Sequence, residues 1–193
     1  MKVSIKPGKI KGTIAAPPSK SYAHRMLIGA ALAEGESSVH GISASEDMLA
    51  TKDCIRALEE EPGLSVFPCR ESGSTLRFFI PIALAVRGGG IFTGTERLIE
   101  RGIGIYEEIF AGRGISVEKS EKEIRICGQL SAGEYEIRGN ISSQFITGML
   151  FALPLLKGDS RIRILPPVES RSYIDITLDV LKTFGIKVIE KED

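Results

Sequence analysis

The sequence is poor in the residues that build disulfide frameworks and metal sites. Its three cysteines stand far apart, are odd in number and form no CxxC pair, which argues against disulfides and zinc and fits a reducing cytoplasm. The two histidines lack the spacing of metal ligands. We therefore expect a cytoplasmic protein with no metal and no cofactor.

The sequence also has no excess of positive or negative charge and no long apolar run. Lys+Arg and Asp+Glu each number 25, so the 193-residue chain has zero net charge at pH 7, and this balance gives no indication of a nucleic-acid or membrane partner. The amino-terminal MKVSIKPGKIKG has no apolar stretch of the kind that signal peptides carry. The longest apolar runs, FFIPIALAV and MLFALPLL, are too short to span a bilayer and contain proline.

What the chain does contain is a threefold repeat. Each copy starts with serine, continues as an apolar helix and reaches a glycine sixteen residues later: SKSYAHRMLIGAALAEG at 19–35, SGSTLRFFIPIALAVRG at 72–88 and SSQFITGMLFALPLLKG at 142–158. Serine favours a helix start and glycine a helix end. The three segments are therefore predicted to be equivalent helices.

Each of these helices is followed by the same types of element. Short β-like pieces follow at 37–42, 90–94 and 160–165, and second amphipathic helices at 46–60, 100–114 and 172–185. Strands come next, at 64–68, at 115–128 as a hairpin, and at 186–193. In this pattern the first unit ends with 64–68, and the third stops after one strand.

The pattern predicts an α/β domain of repeated βαβαββ units with pseudo-threefold symmetry. We expect the helices to be central and the sheets to lie outside, so that the symmetry brings the three serine-bearing helix starts near one another. The alternative is that the repeat reflects only the ordinary regularity of βαβ structure.

The first helix start carries two cations. Lys20 and Arg25 lie at or just inside it, and Ser21 precedes Arg25 by four residues, so these two side chains can face one way. Cations oppose the helix dipole at this end unless an anion binds there, and the planar fork of Arg25 matches a carboxylate or phosphate. The alternative is a solvated face with a serine cap.

The other helix starts repeat this theme. Gly73 lets a ligand approach the backbone closely, and Arg101 lies near the next helix. Ser142 and Ser143 open the third repeat helix, where hydroxyls and unpaired N–H groups can bind phosphate as well as cap the helix. No catalytic acid–base pair or Ser-His-Asp arrangement is visible in the sequence. We predict a site for a small, multiply anionic ligand.

Five motifs, in a fixed order, carry a family resemblance over nearly the whole chain: PPSKSYAHRMLIGAALAEG, ESGSTLRF, LIERGI, GNISSQFITGMLFALPLL and SRSYIDITLDVLKTFGI. With them the sequence resembles the 5-enolpyruvylshikimate-3-phosphate (EPSP) synthases, or 3-phosphoshikimate 1-carboxyvinyltransferases. Members transfer the enolpyruvyl group of phosphoenolpyruvate to shikimate 3-phosphate and release phosphate, in the shikimate pathway to aromatic amino acids. The resemblance implies this activity and a fold of two similar domains, each made of three βαβαββ units.

The resemblance also implies a role for each matching residue. Lys20, the implied catalytic residue, contacts both phosphoenolpyruvate and shikimate 3-phosphate, while Ser21 and Arg25 hold the shikimate carboxylate. Ser142, Ser143 and Ser170 are implied to bind the 3-phosphate, and Gly73 and Arg101 to bind phosphoenolpyruvate. Gln144 would lie between the two substrates, and Tyr173 would line the shikimate side of the site.

Family members are about twice as long as this chain. The resemblance implies that their other half supplies the Asp and Glu that handle protons, so we expect the chain alone to be inactive. Residues 1–13 are then a first strand that belongs to the missing second domain, which is the implied partner. Residues 14–193 form the shikimate 3-phosphate-binding lobe, with its third unit truncated.

Two rival interpretations stay open. One is the related enolpyruvyl transferase that acts on UDP-N-acetylglucosamine, but Ser21 stands where that enzyme typically has Asn. That enzyme also has a reactive loop cysteine, and here no cysteine lies between Leu98 and Arg113. The other rival is a non-catalytic anion-binding module.

The sequence also departs from the family pattern at three positions, where Glu71, Ser74 and Ser172 replace the Asn, Thr and Pro of many EPSP synthases.

Overall fold

The computed structural model describes residues 2–9, 11–60 and 63–191. The helices in these residues are α1 (Lys20–Leu32), α2 (Glu46–Glu59), α3 (Gly73–Arg87), α4 (Glu96–Glu100), α5 (Gly104–Phe110), α6 (Ser143–Ala152) and α7 (Arg171–Thr183). The strands are β1 (Val66–Arg70), β2 (Gly89–Gly94), β3 (Ser116–Lys119), β4 (Glu123–Cys127), β5 (Glu134–Arg138) and β6 (Arg161–Leu165). A 3₁₀ turn at Leu153–Leu155 follows α6.

The strands form two sheets. In the larger sheet the strand order is β1-β2-β4-β3. Here β1 is parallel to β2, and β4 of the β3–β4 hairpin pairs with β2 in antiparallel fashion. The smaller sheet consists of β5 and β6 in parallel. Tyr135 and Ile137, on one face of β5, are buried, whereas their neighbours on the other face are exposed. Each sheet therefore turns one apolar face towards the helices.

The helices α1, α3 and α6 occupy the centre of the domain. Each second helix of a unit inserts one buried hydroxyl group between two of these central helices: Thr51 of α2 contacts His24 and Thr75, Tyr106 of α5 contacts the carbonyls of Arg77 and Phe145, and Thr177 of α7 contacts Arg25 and Thr147. The same connection thus occurs three times around the centre. The predicted pseudo-threefold α/β domain with central helices is confirmed.

The repeat helices start where the serines predict. Ser19, Ser72 and Ser142 are the N-caps of α1, α3 and α6, and each side chain accepts a hydrogen bond from a backbone N–H of the first turn. The third helix was predicted to reach residue 158 but ends at Ala152, because Pro154 cannot donate a helical hydrogen bond.

Across the described ranges, no helix combines the length and apolarity that crossing a membrane requires.

The boundaries of the units differ from the prediction. One complete βαβαββ unit runs from β1 through α3, β2, α5 and the β3–β4 hairpin, over residues 66–127. The strand predicted at 64–68 therefore opens the second unit and does not close the first, because it pairs in parallel with β2. The strand β5 was not predicted, although EYEIR alternates polar and apolar residues as a half-buried strand does.

Three predicted strands are absent from the described residues. Residues 37–42 and 186–191 form no strand, and neither do 2–9 and 11–13 of the predicted first strand. A strand requires a neighbour for its backbone hydrogen bonds, and no described strand pairs with these segments. Residues 1, 10, 192 and 193 of these predictions lie outside the described part of the chain, and the assignment of 1–13 to another domain stays a prediction.

Candidate anion-binding site

Side-chain hydrogen bonds hold the starts of the central helices together. The Gln144 side chain of α6 donates to Ser74 Oγ of α3 at 2.9 Å and accepts from Arg77 Nη1 at 2.7 Å. From α1, Arg25 Nη2 donates to Thr147 Oγ1 of α6 at 3.1 Å. The three serine-bearing helix starts therefore lie on one side of the domain, as pseudo-symmetry predicted.

Arg25 is a buried cation at this junction. It is only 3% exposed, and it donates from Nε to Thr177 Oγ1 at 2.8 Å and from Nη1 to the Ser21 carbonyl at 2.9 Å. Burial lowers the pKa of Arg25 to about 10, so the guanidinium stays charged at neutral pH. Its hydrogen-bond partners among the described residues are all neutral, and a buried charge of this kind favours the arrival of an anion.

Lys20 and Ser21 lie beside Arg25 but meet different partners. Lys20 Nζ forms an ion pair with Asp47 Oδ2 at 2.6 Å. Burial alone would raise the pKa of Asp47, but Lys20, with smaller contributions from Ser72 and the charge of His24, outweighs burial and holds that pKa below its usual value. Ser21 contacts Arg25 through its backbone carbonyl, whereas the sequence predicted a role for its side chain.

A cleft of about 380 Å³ opens between the starts of α3, α5 and α6. Its lining includes Arg77, Arg101, Gly102, Ser142, Gln144 and Phe145. A Cβ atom on Gly73 would lie 2.8 Å from Arg77 Nη1 and 3.6 Å from Arg101 Nη1, so two guanidinium groups meet over this helix start. Burial, and then the charge of Arg101, lower the pKa of Arg77. Two adjacent cations in a cleft attract an anion between them.

Arg77 is a cation of this cleft that was not predicted from the sequence. It is 6% exposed, with its guanidinium over the Phe145 ring at 5.1 Å from the ring centroid and bonded to Gln144. Its signal in the sequence is its place in ESGSTLR, one helical turn after Gly73. The same four-residue spacing led to Arg25 after Ser21.

The segments that carry Ser142 and Ser170 are neighbours. They follow β5 and β6, whose carboxyl ends meet at one edge of the parallel sheet, and the Glu169 N–H donates to the Gly139 carbonyl at 2.9 Å. Ser170 has a φ of 56° and its side chain makes no cap hydrogen bond. Ser142 is a cap and Ser143 is buried. The two serine-bearing segments are therefore adjacent, and a phosphate site shared by their hydroxyls stays a prediction.

Tyr173 connects this edge with Arg25. Its ring centroid lies 6.0 Å from the Arg25 guanidinium carbon, and 43% of the residue is exposed. Because Ser170 is the N-cap of α7 and Tyr173 lies in its first turn, this helix connects the Ser170 segment with the buried arginine. Within the described ranges no group of three or more His, Cys, Asp and Glu residues is placed to hold a metal ion.

The burial of His24 predicts a pH dependence of stability. His24 is 2% exposed, and burial lowers its pKa from 6.5 to about 4, with Asp47 opposing and Lys20 and Arg25 assisting the shift. Between these values the unfolded chain takes up a proton that the folded chain does not, so the free energy of unfolding falls as pH drops from 6.5 towards 4. We expect a loss of about 2–3 kcal/mol between pH 7 and pH 4.5 in chemical denaturation.

The matched control for this prediction is the exposed second histidine. His24→Asn is expected to flatten the pH dependence, whereas His40→Asn is expected to leave it unchanged, because His40 is exposed. Asp47 has a lowered pKa, so its contribution is lost only at lower pH than this window. An equal pH dependence in the wild type and in His24→Asn would contradict the assignment.

The fold and the site together define a class: a pseudo-threefold α/β domain with a cationic cleft at the starts of its central helices. Comparison with known sequences gives the family. The family model of EPSP synthase (3-phosphoshikimate 1-carboxyvinyltransferase) matches residues 5–65 and 60–193. The chain belongs to this family.

Individual relatives agree with this assignment. Proteins named 3-phosphoshikimate 1-carboxyvinyltransferase from Clostridium botulinum (strain Eklund 17B) and Clostridium kluyveri are 44% and 42% identical over 96% of the chain. The chain spans about half the length of these relatives, 48% in both cases. An EPSP synthase structure from Acinetobacter baumannii covers 93% of the chain with a TM-score of 0.75. At 23% identity this structure shows the shared fold, and the chain covers 45% of it.

Proposed function

We propose that this chain is the shikimate 3-phosphate-binding half of a 3-phosphoshikimate 1-carboxyvinyltransferase. The whole enzyme would transfer the enolpyruvyl group of phosphoenolpyruvate to shikimate 3-phosphate and release phosphate. A second domain, of the size of the part that the relatives have in addition, would supply the rest of the active site. Family membership supports the reaction class, and the geometry supports the division of labour.

The observation that carries the proposal is the environment of Arg25. Its guanidinium is buried among neutral hydrogen-bond partners and lies close to Tyr173. A ligand carboxylate would supply the missing negative charge and form charge-assisted hydrogen bonds there. The serine-bearing segments near Ser142 and Ser170 lie on the same side of the domain, where they would receive a phosphate attached to the same ligand.

The remaining residues fit the second substrate. Arg77 and Arg101 meet over Gly73, and the cleft that they line would receive the phosphate or carboxylate of phosphoenolpyruvate. Gln144 lies between this cleft and Ser74, bonded to Arg77, which suits a position between two anionic substrates. Lys20 would reach both ligands from the start of α1.

Replacing both Ser142 and Ser143 with alanine tests the assigned phosphate site. The double variant is expected to bind shikimate 3-phosphate at least about tenfold more weakly, because each hydrogen bond to a charged group contributes roughly 1.5–3 kcal/mol. Binding of shikimate, which has no phosphate, is expected to stay within about twofold of the wild type. Calorimetric titration with each ligand at low and moderate salt provides the measurement.

Ser19→Ala is the matched control. Ser19 caps α1 as Ser142 caps α6. This variant therefore loses a helix cap of the same kind but no residue that is assigned to ligand binding. It is expected to bind both ligands like the wild type. Equal losses for both ligands in the double serine variant would refute the phosphate assignment and favour general attraction of anions to a basic surface.

A further inference from the structure

Asp47 is the acidic side chain of α2 that faces the start of α1. Its carboxylate meets Lys20 Nζ at 2.6 Å. The neighbouring acids of the same helix have other partners: Glu46 pairs with Arg70, and Asp53 pairs with Arg56 and Arg70. Asp47 therefore has a specific relation to Lys20 that general charge on α2 does not explain.

A chain of buried hydrogen bonds stands behind Asp47. His24 Nδ1 lies 2.7 Å from Thr51 Oγ1, which lies 3.0 Å from Thr75 Oγ1, and Thr75 Oγ1 donates to Ser72 Oγ at 2.8 Å. Ser72 is also one of the groups that lower the pKa of Asp47, after Lys20. His24, Thr51, Ser72 and Thr75 are all nearly inaccessible to solvent, so this chain crosses from α1 through α2 to α3.

Thr51 connects this chain to the helix turn of Asp47. Its hydroxyl donates to the Asp47 carbonyl at 3.0 Å, and it also lies within hydrogen-bond distance of His24 Nδ1 and Thr75 Oγ1. The buried contacts from α1 and α3 therefore meet α2 at the turn that begins with Asp47, and they hold the backbone of this residue in place.

We propose that Asp47 is a positioning residue for Lys20: anchored through Thr51 of the same helix turn, it holds the Lys20 ammonium at the start of α1. The proposal rests on the proposed function, in which Lys20 contacts the substrates. A lysine is a flexible point charge, and 56% of the Lys20 side chain is exposed, against 30% for Asp47. The carboxylate therefore fixes the direction of an otherwise mobile cation, and it does so before any ligand arrives.

The first test needs no ligand. With lysines ¹³C-labelled at Cε, the Lys20 signal is assigned by its disappearance in Lys20→Ala. The wild type is expected to show two distinct proton shifts at this carbon, as for a side chain held in one rotamer. Asp47→Asn is expected to merge them, while Asp53→Asn, which removes a charge from the same helix, is expected to leave them separate. A merged signal in the wild type, or a split signal that survives Asp47→Asn, would overturn the proposal.

The second test uses shikimate 3-phosphate. Asp47→Asn is expected to weaken binding about twofold to fivefold, the range of measured couplings in partly exposed ion pairs, although it removes a charge that repels the ligand. Asp53→Asn is expected to leave binding unchanged or slightly stronger. In a Lys20→Ala background, Asp47→Asn is expected to cause no loss, because it acts through Lys20. A loss that persists in that background would show a general structural role and overturn the proposal.

The two tests separate this proposal from the proposed function. If the Lys20 signal depends on Asp47 but the wild-type chain binds no shikimate 3-phosphate, the proposed function fails and the positioning contact stands. If the wild type binds the ligand and the Lys20 signal ignores Asp47, the proposed function stands and the positioning role fails.

Discussion

Replacing Arg25 with alanine is expected to weaken the binding of shikimate 3-phosphate and of shikimate by the same factor, about 10- to 100-fold. Both ligands carry the carboxylate that the buried guanidinium is proposed to hold, and hydrogen bonds to charged groups contribute roughly 1.5–3 kcal/mol. The equality of the two losses distinguishes this change from the double serine variant. Calorimetric titration of both ligands into the variant and the wild type measures it.

Arg25→Lys controls for the loss of packing. Arg25 also bonds to Thr147 and Thr177 and contacts the Phe78 ring, so alanine leaves a cavity and unsatisfied hydroxyls. Lysine keeps the charge but lacks the planar fork, and it is expected to recover part of the affinity. A folded Arg25→Ala chain, judged by circular dichroism, that binds both ligands like the wild type would contradict the carboxylate assignment.

The 193-residue chain on its own is expected to give no detectable synthase activity, a rate at least about 10²-fold below that of a full-length relative, since general acid–base catalysis alone typically contributes about 10²- to 10⁴-fold. Two carboxylates near the described site have cationic partners. Glu108 at the cleft lies 3.5 Å from Arg138. Asp47 pairs with Lys20 and has a lowered pKa, so it is not suited to donate a proton at neutral pH.

A coupled phosphate-release assay with phosphoenolpyruvate and shikimate 3-phosphate measures this activity. The relative from Clostridium botulinum, assayed in parallel, sets the reference rate. Lys20→Ala of the chain identifies contamination, because turnover that survives this change does not come from the proposed site. Turnover by the wild-type chain within tenfold of the reference, and abolished in Lys20→Ala, would show that the second domain is unnecessary.

The central helices could be predicted from the sequence because their signals are local. Ser72 caps α3, Gly88 ends it in the left-handed conformation at a φ of 74°, and the apolar run between them has to be buried. The strands were less predictable. Residues 37–42 and 186–191 have β-like sequences, but whether such a segment becomes a strand depends on a partner strand, and no described strand provides one.

The candidate site shows the same division between local and tertiary signals. Arg25 could be selected because Ser21 and a helix start lie within one turn of it. Arg77 has the same spacing from Gly73, but its importance follows from Arg101 and Gln144, which reach it only in the folded domain. The relation between Asp47 and Lys20 joins residues that are 27 positions apart. No sequence motif indicates this contact, so it could be found only in the structure.

The most direct test of the account is a calorimetric titration of the wild-type chain with shikimate 3-phosphate, shikimate, phosphoenolpyruvate and inorganic phosphate. We expect shikimate 3-phosphate to bind best, though weakly, because it alone has both the carboxylate for Arg25 and the phosphate for the serine-bearing segments. Shikimate is expected to bind more weakly, and phosphoenolpyruvate alone barely at all. Binding of inorganic phosphate as tight as that of shikimate 3-phosphate, or no binding of shikimate 3-phosphate by the folded chain, would contradict the account.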